Sequence, residues 1–205
     1  MVSFHCRLAQ MSRAAVVTAL LATTAGCAAL LGGEERATFD VVAPASFDGL
    51  QSGTSAQLLI KEPSAVSVLD SERIAIRSDA FEVSYLAKAQ WTDSVPKLVQ
   101  ARMIQTFENS GRTRAIGRPG EGLLIDYQLA FDVRAFEAVS DGDSRAVVRF
   151  GVKIINERNG RLVGQRVFEA NAPVAGHDAD LVVEGINQAF NTAADDIVRW
   201  VLQRI

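Results

Sequence analysis

The sequence predicts an α+β fold in which a mixed, largely antiparallel sheet carries two amphipathic helices packed on one face. Three observations lead there. Leu123, Ile125, Tyr127, Leu129, Phe131 and Val133 alternate with mostly polar neighbours, as in a half-buried strand. Asp141-Gly142-Asp143 and Asn159-Gly160 are hairpin-turn signals, so Leu123 to Ala170 reads as a three-stranded meander. Two further segments carry apolar stripes at helical spacing: Leu98, Val99, Met103 and Phe107 with Ile104 alongside, and Val183, Ile186, Phe190, Ala193, Ile197 and Trp200. A sheet with one open face and two such helices closes a two-layer domain.

Taken in order, Thr38 to Val42 is a first strand ended by Pro44. A Gly-, Ser- and Thr-rich loop, Phe47 to Ser55, leads to a second strand, Gln57 to Lys61, stopped near Pro63. Two short strands, Arg73 to Arg77 and Phe81 to Ala87, are joined by Ser78-Asp79. The first helix starts where Asp93 or Ser94 can cap free amides and Pro96 fits the first turn. Gly111 closes it in a left-handed conformation. The alternation of the long strand slips near Phe136, where a bulge is expected. Ala146, Val148, Phe150, Val152 and Ile154 form the return strand, and Arg161 to Ala170 the third. After a loop from Pro173 to Asp178, the last helix runs from Asp180 to Leu202.

The N-terminus is a different kind of segment. Arg7 and Arg13 give it positive charge, Ala14 to Ala25 is apolar and uncharged, and small residues precede Cys27. The apolar run is shorter than the ~18–20 residues a spanning helix needs, which favours a cleaved signal. Leu21-Ala22-Thr23-Thr24-Ala25-Gly26-Cys27 resembles the lipobox of bacterial lipoproteins, with Thr24 where that pattern usually has Leu. The expected division is a lipoprotein signal peptide over residues 1–26, a lipidated tether over 27–36 and a single domain over 37–205, with Cys27 as the lipid attachment site. Met11 offers a second start, since Arg13 alone supplies the positive segment. Cys6 lies in the removed segment, so the mature domain holds no disulfide.

Cleavage before Cys27 leaves 179 of 205 residues, the size of one domain. Removing Arg7 and Arg13 leaves 19 basic residues against 24 acidic, a net charge of about −5. That balance argues against nucleic acid, which needs a basic footprint, and against electrostatic adhesion to anionic lipid. The mature domain keeps one histidine, His177, and no thiol beyond Cys27, so a His–Cys metal site is excluded. No nucleophile elbow, Walker A loop or dinucleotide fingerprint is present. Gly117, Gly120 and Gly122 around Arg118-Pro119 fit a turn and no phosphate loop. His177-Asp178 with Asp180 reads as a solvated loop and helix cap, and Asp195-Asp196 as a solvated helix face. Catalytic, cofactor and metal sites are therefore read as none. Tyr85 and Trp91 flank a strand-to-helix junction, where they serve either a partner surface or core packing.

Three stretches together carry a resemblance: Glu72-Arg73-Ile74-Ala75-Ile76-Arg77, Val83-Ser84-Tyr85-Leu86-Ala87-Lys88-Ala89-Gln90-Trp91 and Val95-Pro96-Lys97-Leu98-Val99-Gln100. They resemble the ABC-type transport auxiliary lipoproteins, the PqiC-like components of MCE-type lipid transport systems. The likeness runs from Phe39-Asp40-Val41-Val42-Ala43-Pro44 to the helix around Phe190-Asn191 and Trp200. It implies an outer-membrane, lipid-anchored protein facing the periplasm. Such a protein is a non-catalytic docking subunit whose partners are an MCE-domain periplasmic protein and, through it, an ABC permease and ATPase. It also leaves room for a homo-oligomer. A periplasmic lipid carrier and a periplasmic hydrolase stand as alternatives.

Overall fold

The computed structural model describes residues 36–142 and 144–205. Nine strands and two helices make up the described part, in the order β1 Ala37–Phe39, β2 Thr54–Ile60, β3 Ser64–Ala65, β4 Arg73–Arg77, β5 Val83–Trp91, α1 Val95–Ser110, β6 Thr113–Gly117, β7 Tyr127–Val139, β8 Arg145–Asn156, β9 Leu162–Pro173 and α2 Ala179–Leu202. The class is α+β, as the sequence patterns predict.

The sheet is organised around β7. One edge of β7 pairs antiparallel with β8 along its whole length, and β8 pairs antiparallel with β9. The other edge is shared in tandem by three strands parallel to β7: β2 at Tyr127–Leu129, β3 at Asp132–Val133 and β4 at Glu137–Val139. β6 continues outward from β2, while β5 and then β1 continue from β4. The long ladders are thus antiparallel and the short ones mostly parallel.

A bulge on β7 decides which side chains meet the helices. The register with β8 skips Arg134, passing from Val133 to Ala135. A strict alternation would put Val133 and Phe136 on opposite faces; the extra residue brings both to one face. The bulge therefore lies two residues before the expected position. Phe136 then sits among Phe150, Phe190 and Trp91, with ring centroids 5.5–6.5 Å apart. Leu129, Phe131, Val148, Val152, Ile154 and Phe168 complete the buried sheet face. Leu98, Val99, Met103 and Phe107 of α1 and the predicted stripe of α2 cover it.

Several boundaries differ from the sequence expectation for identifiable reasons. β1 ends at Phe39 because the following amides find side chains instead of a ladder: Val41 N–H donates to Asp40 Oδ1 and Val42 N–H to Asn187 Oδ1, both at 2.7 Å. β2 starts at Thr54, since β6, which no alternation announces, pairs with it from Thr113 onward. β5 reaches Trp91 because β1 pairs with its last three residues. β7 begins at Tyr127, leaving Leu123 and Leu124 in an exposed loop. α1 carries Pro96 in its first turn and ends on Gly111 at φ 62°, whose N–H donates to the Glu108 carbonyl. Ser94 occupies the cap position without a side-chain capping bond, as does Asp178 before α2.

Candidate functional site

The sheet has two faces with opposite chemistry. Helices cover one. On the other, alternation along β7, β8 and β9 brings up charged residues that largely pair with one another. Arg77 and Glu137 join β4 to β7 by two bonds, Nε to Oε1 at 2.6 Å and Nη2 to Oε2 at 3.1 Å. The Glu137 side chain is only 5% exposed, and its hydrogen bond, with its charge adding to it, holds the Arg77 guanidinium above its ordinary range. Arg149 donates to Glu169 at 2.6 Å across β8 and β9, and this bond lowers the Glu169 pKa. Ala135, Val139 and Val147 form a small apolar cluster beside these pairs.

A groove of about 490 Å³ includes Ser64, Asp132, Arg134, Gly151, Lys153 and Gln165 in its lining. Arg134, the bulge residue, donates to Asp132 at 2.8 Å and lies over Gly151, where a Cβ would come within 2.9 Å of its Nη2. Glycine on β8 is what lets that guanidinium lie flat on the sheet. The lining sets three basic residues, Arg134, Lys153 and Arg166, against one acidic, Asp132, so the groove is polar and net positive, a surface suited to protein contact more than to an acyl chain.

The fold separates the sequence-predicted residues. Cys27 lies outside the described residues. Tyr85 is half-buried on β5, with the Arg73 guanidinium 3.9 Å above its ring. Trp91 is fully buried against Phe136, which decides for core packing and against a partner surface: at the end of β5 its side chain points into the core. His177 borders a mostly apolar cleft of about 180 Å³ lined by Ile76, Leu86, Val139, Val174 and Val182. Asp195 is engaged by Arg199 one turn later, at 2.7 and 3.0 Å. Arg118 to Glu121 forms a turn. Among the described residues, no group of three or more His, Cys, Asp or Glu side chains is placed to hold a metal ion, and no helix is long and apolar enough to cross a membrane.

Sequence reading missed one conspicuous residue. Phe81, which the sequence pattern assigns to the start of a strand, is 97% exposed in the turn between β4 and β5. The Ser78-Asp79 pair was the available signal. Asp79 Oδ1 accepts the N–H groups of Phe81 and Glu82 at 2.7 and 2.9 Å, prolonging the turn past Phe81.

Residues 38–198 match the model of the family described as ABC-type transport auxiliary lipoprotein component. The chain belongs to this family. Its members are described as lipoprotein components of ABC-type transport, so membership implies a membrane-anchored protein. A crystal structure of a Xanthomonas campestris protein superposes with a TM-score of 0.75 at 26% identity, covering 82% of this chain and 96% of that one. The PelC L103M dodecamer from Paraburkholderia phytofirmans shares the fold alone, with a TM-score of 0.50 and 11% identity over 78% of this chain and 95% of that one. An uncharacterised protein of Bradyrhizobium diazoefficiens is 30% identical over 181 residues, which span 87% of this chain but 49% of that relative. The chain thus covers about half the length of that relative.

Proposed function

We propose that this family member is an outer-membrane-anchored docking subunit of an MCE-type ABC lipid transport system, held by acylated Cys27 and performing no catalysis itself. The family match over residues 38–198 carries this reading. Anchoring would confine the domain to a thin layer at the membrane, raising its effective concentration for a periplasmic partner, so that docking needs no high intrinsic affinity. The interior favours docking over carriage of a lipid. Phe136, Phe150 and Phe190 fill the space between sheet and helices, and the groove of about 490 Å³ is polar and open on the other face. A homo-oligomer belongs to the same proposal.

The test is affinity purification of the native protein from its host in mild detergent, with quantitative mass spectrometry of bound proteins. Co-enrichment of an MCE-domain protein together with an ABC ATPase supports the proposal. Recovery of the protein alone, with neither enriched over a control lipoprotein, rejects it.

A further inference from the structure

β9 ends the sheet with its far edge open. Among the described residues it pairs with β8 alone, over a length of twelve residues. β1 and β6, which end the sheet elsewhere, have three and five. A long open edge invites a further strand, and proteins usually blunt one with proline, lysine, a bulge or shortness. Here the proline and the bulge sit only at the two ends. Pro173 closes one, and at the other the register with β8 skips Val163.

The ladder decides which backbone groups point outward. Val174 N–H donates to the Ser144 carbonyl at 3.0 Å. Bonded pairs recur at every second residue of an antiparallel ladder, and the register is unbroken from Arg145–Pro173 to Ile154–Gly164. The even-numbered residues of this stretch of β9 therefore turn their N–H and C=O groups to β8. Gln165, Val167, Glu169 and Asn171 turn theirs to the open edge, and none of the four finds a backbone partner there among the described residues. Their side chains stand exposed on the sheet face that the helices leave uncovered.

We infer that this edge pairs antiparallel with the same edge of a second copy of the chain, about a two-fold axis at Phe168. The run from Gln165 to Asn171 is symmetric about that residue, so every outward residue gains a bonded partner. Gln165 meets Asn171 of the second copy and Val167 meets its Glu169, which makes four complete pairs across the axis. The opposed side chains are compatible. Amide faces amide, Arg166 faces Ala170, and Glu169 faces a valine with its charge already held by Arg149 at 2.6 Å. Moving the axis to Val167 leaves three complete pairs, and moving it to Glu169 sets that carboxylate against its own copy.

The helix layer fits the same axis. α2 packs on β8 and β9 alike, so it lies about half a strand spacing inside the edge. Another half spacing separates β9 from the axis. The two copies of α2 thus come to roughly 10 Å from each other, the distance of packed helices. The interface joins sheet to sheet and helix to helix, which an isolated extended peptide on the edge does not supply. This surface goes beyond the docking proposal, and the purified protein tests it without any transport partner.

The test is the mass of the full-length protein in mild detergent, by size-exclusion chromatography with light scattering. A dimer is expected, and Val167→Pro should halve its mass. Proline at that position removes an outward N–H and leaves the bonds to β8 in place, so the variant should keep the parent's circular dichroism. A second measurement covers a variant that fails to fold. Gln165→Cys and Asn171→Cys proteins are mixed and oxidised, and a disulfide-linked dimer is expected from the mixture and from neither variant alone. A monomeric parent, a dimer that survives in folded Val167→Pro, or a mixture without the cross-link overturns the inference. A monomeric parent that still co-enriches an MCE-domain protein refutes self-pairing alone. If folded Val167→Pro then loses that protein, the edge receives a strand of the partner instead. A cross-linked dimer that enriches no transport partner refutes the docking proposal and leaves the self-pairing standing.

Discussion

Arg77 on β4 and Glu137 on β7 are locked by two hydrogen bonds, of 2.6 and 3.1 Å, on the sheet face that the helices leave uncovered. The pair fastens the short parallel strand β4 to the long central strand. Losing Arg77 strands a carboxylate that is 5% exposed, whereas losing both charges leaves nothing unpaired. Arg77→Ala is expected to cost roughly 2 kcal/mol, below the full penalty for a buried pair because the arginine is itself 30% exposed. The double variant Arg77→Met/Glu137→Leu should recover much of that loss. Urea midpoints of Arg77→Met, Glu137→Leu and the double variant give the coupling directly.

Gly185 on α2 is a tighter constraint than its helical setting announces. A Cβ there would meet Val174 Cγ2 at 2.8 Å and the Pro173 carbonyl oxygen at 3.1 Å, and that carbonyl is backbone at the end of β9. Alanine normally gains about 1 kcal/mol over glycine inside a helix. Here the clash should reverse the sign, giving a net loss of roughly 1–3 kcal/mol. Gly151→Ala meets only the far end of the Arg134 side chain and should cost less than about 1 kcal/mol. Thermal melts of the two variants side by side distinguish a backbone obstacle from a side chain that swings away.

Acid should weaken the fold through its lowered carboxylates. Asp126 accepts the Gln57 N–H at 3.0 Å and is held by Arg158 at 2.6 Å, and these partners, the backbone amide first, depress its pKa. Glu169 is depressed chiefly by its bond from Arg149. A carboxylate whose folded pKa lies below its unfolded one binds more protons when unfolded. Its stabilisation is present above the unfolded value of about 3.9–4.3 and disappears as pH falls through the folded value. The urea midpoint should thus be flat from neutral pH to about 5 and fall below about 4. Asp126→Asn should shrink the fall, and an unchanged profile would remove Asp126 from this account.

These contacts show why some of the structure could be read from sequence and some could not. The stripe from Val183 to Trp200 and the alternation around Leu129 and Phe131 each repeat one burial requirement many times, so periodicity reveals them. β4 was bounded correctly because turn residues flank it. β3 and β6 have two and five residues, too few for any period to emerge, and they exist only because β7 and β2 offer free edges. The Arg77–Glu137 pair spans sixty residues of sequence, and no local pattern encodes such a partner. Trp91 was ambiguous for the same reason: its neighbour Phe136 faces it only because of the bulge at Arg134.

The anchor itself remains the decisive chemical prediction. Cys27→Ser removes the thiol that would carry lipid and leaves residues 36–205, the part with the packed core, untouched. Acyl chains contribute about 0.8 kcal/mol per buried methylene, and one chain gives only marginal membrane binding, so stable anchoring needs more than one. The described domain has no helix able to cross a membrane and replace that attachment. The variant should therefore move from the membrane to the soluble periplasmic fraction with an unchanged melting temperature. Under the proposed docking role, lipid transport should fall with it, and raising the concentration of the soluble variant should restore part of the loss by mass action. Full transport at native levels of a wholly soluble variant would show that folding and docking suffice, and that the anchor does not act by confinement.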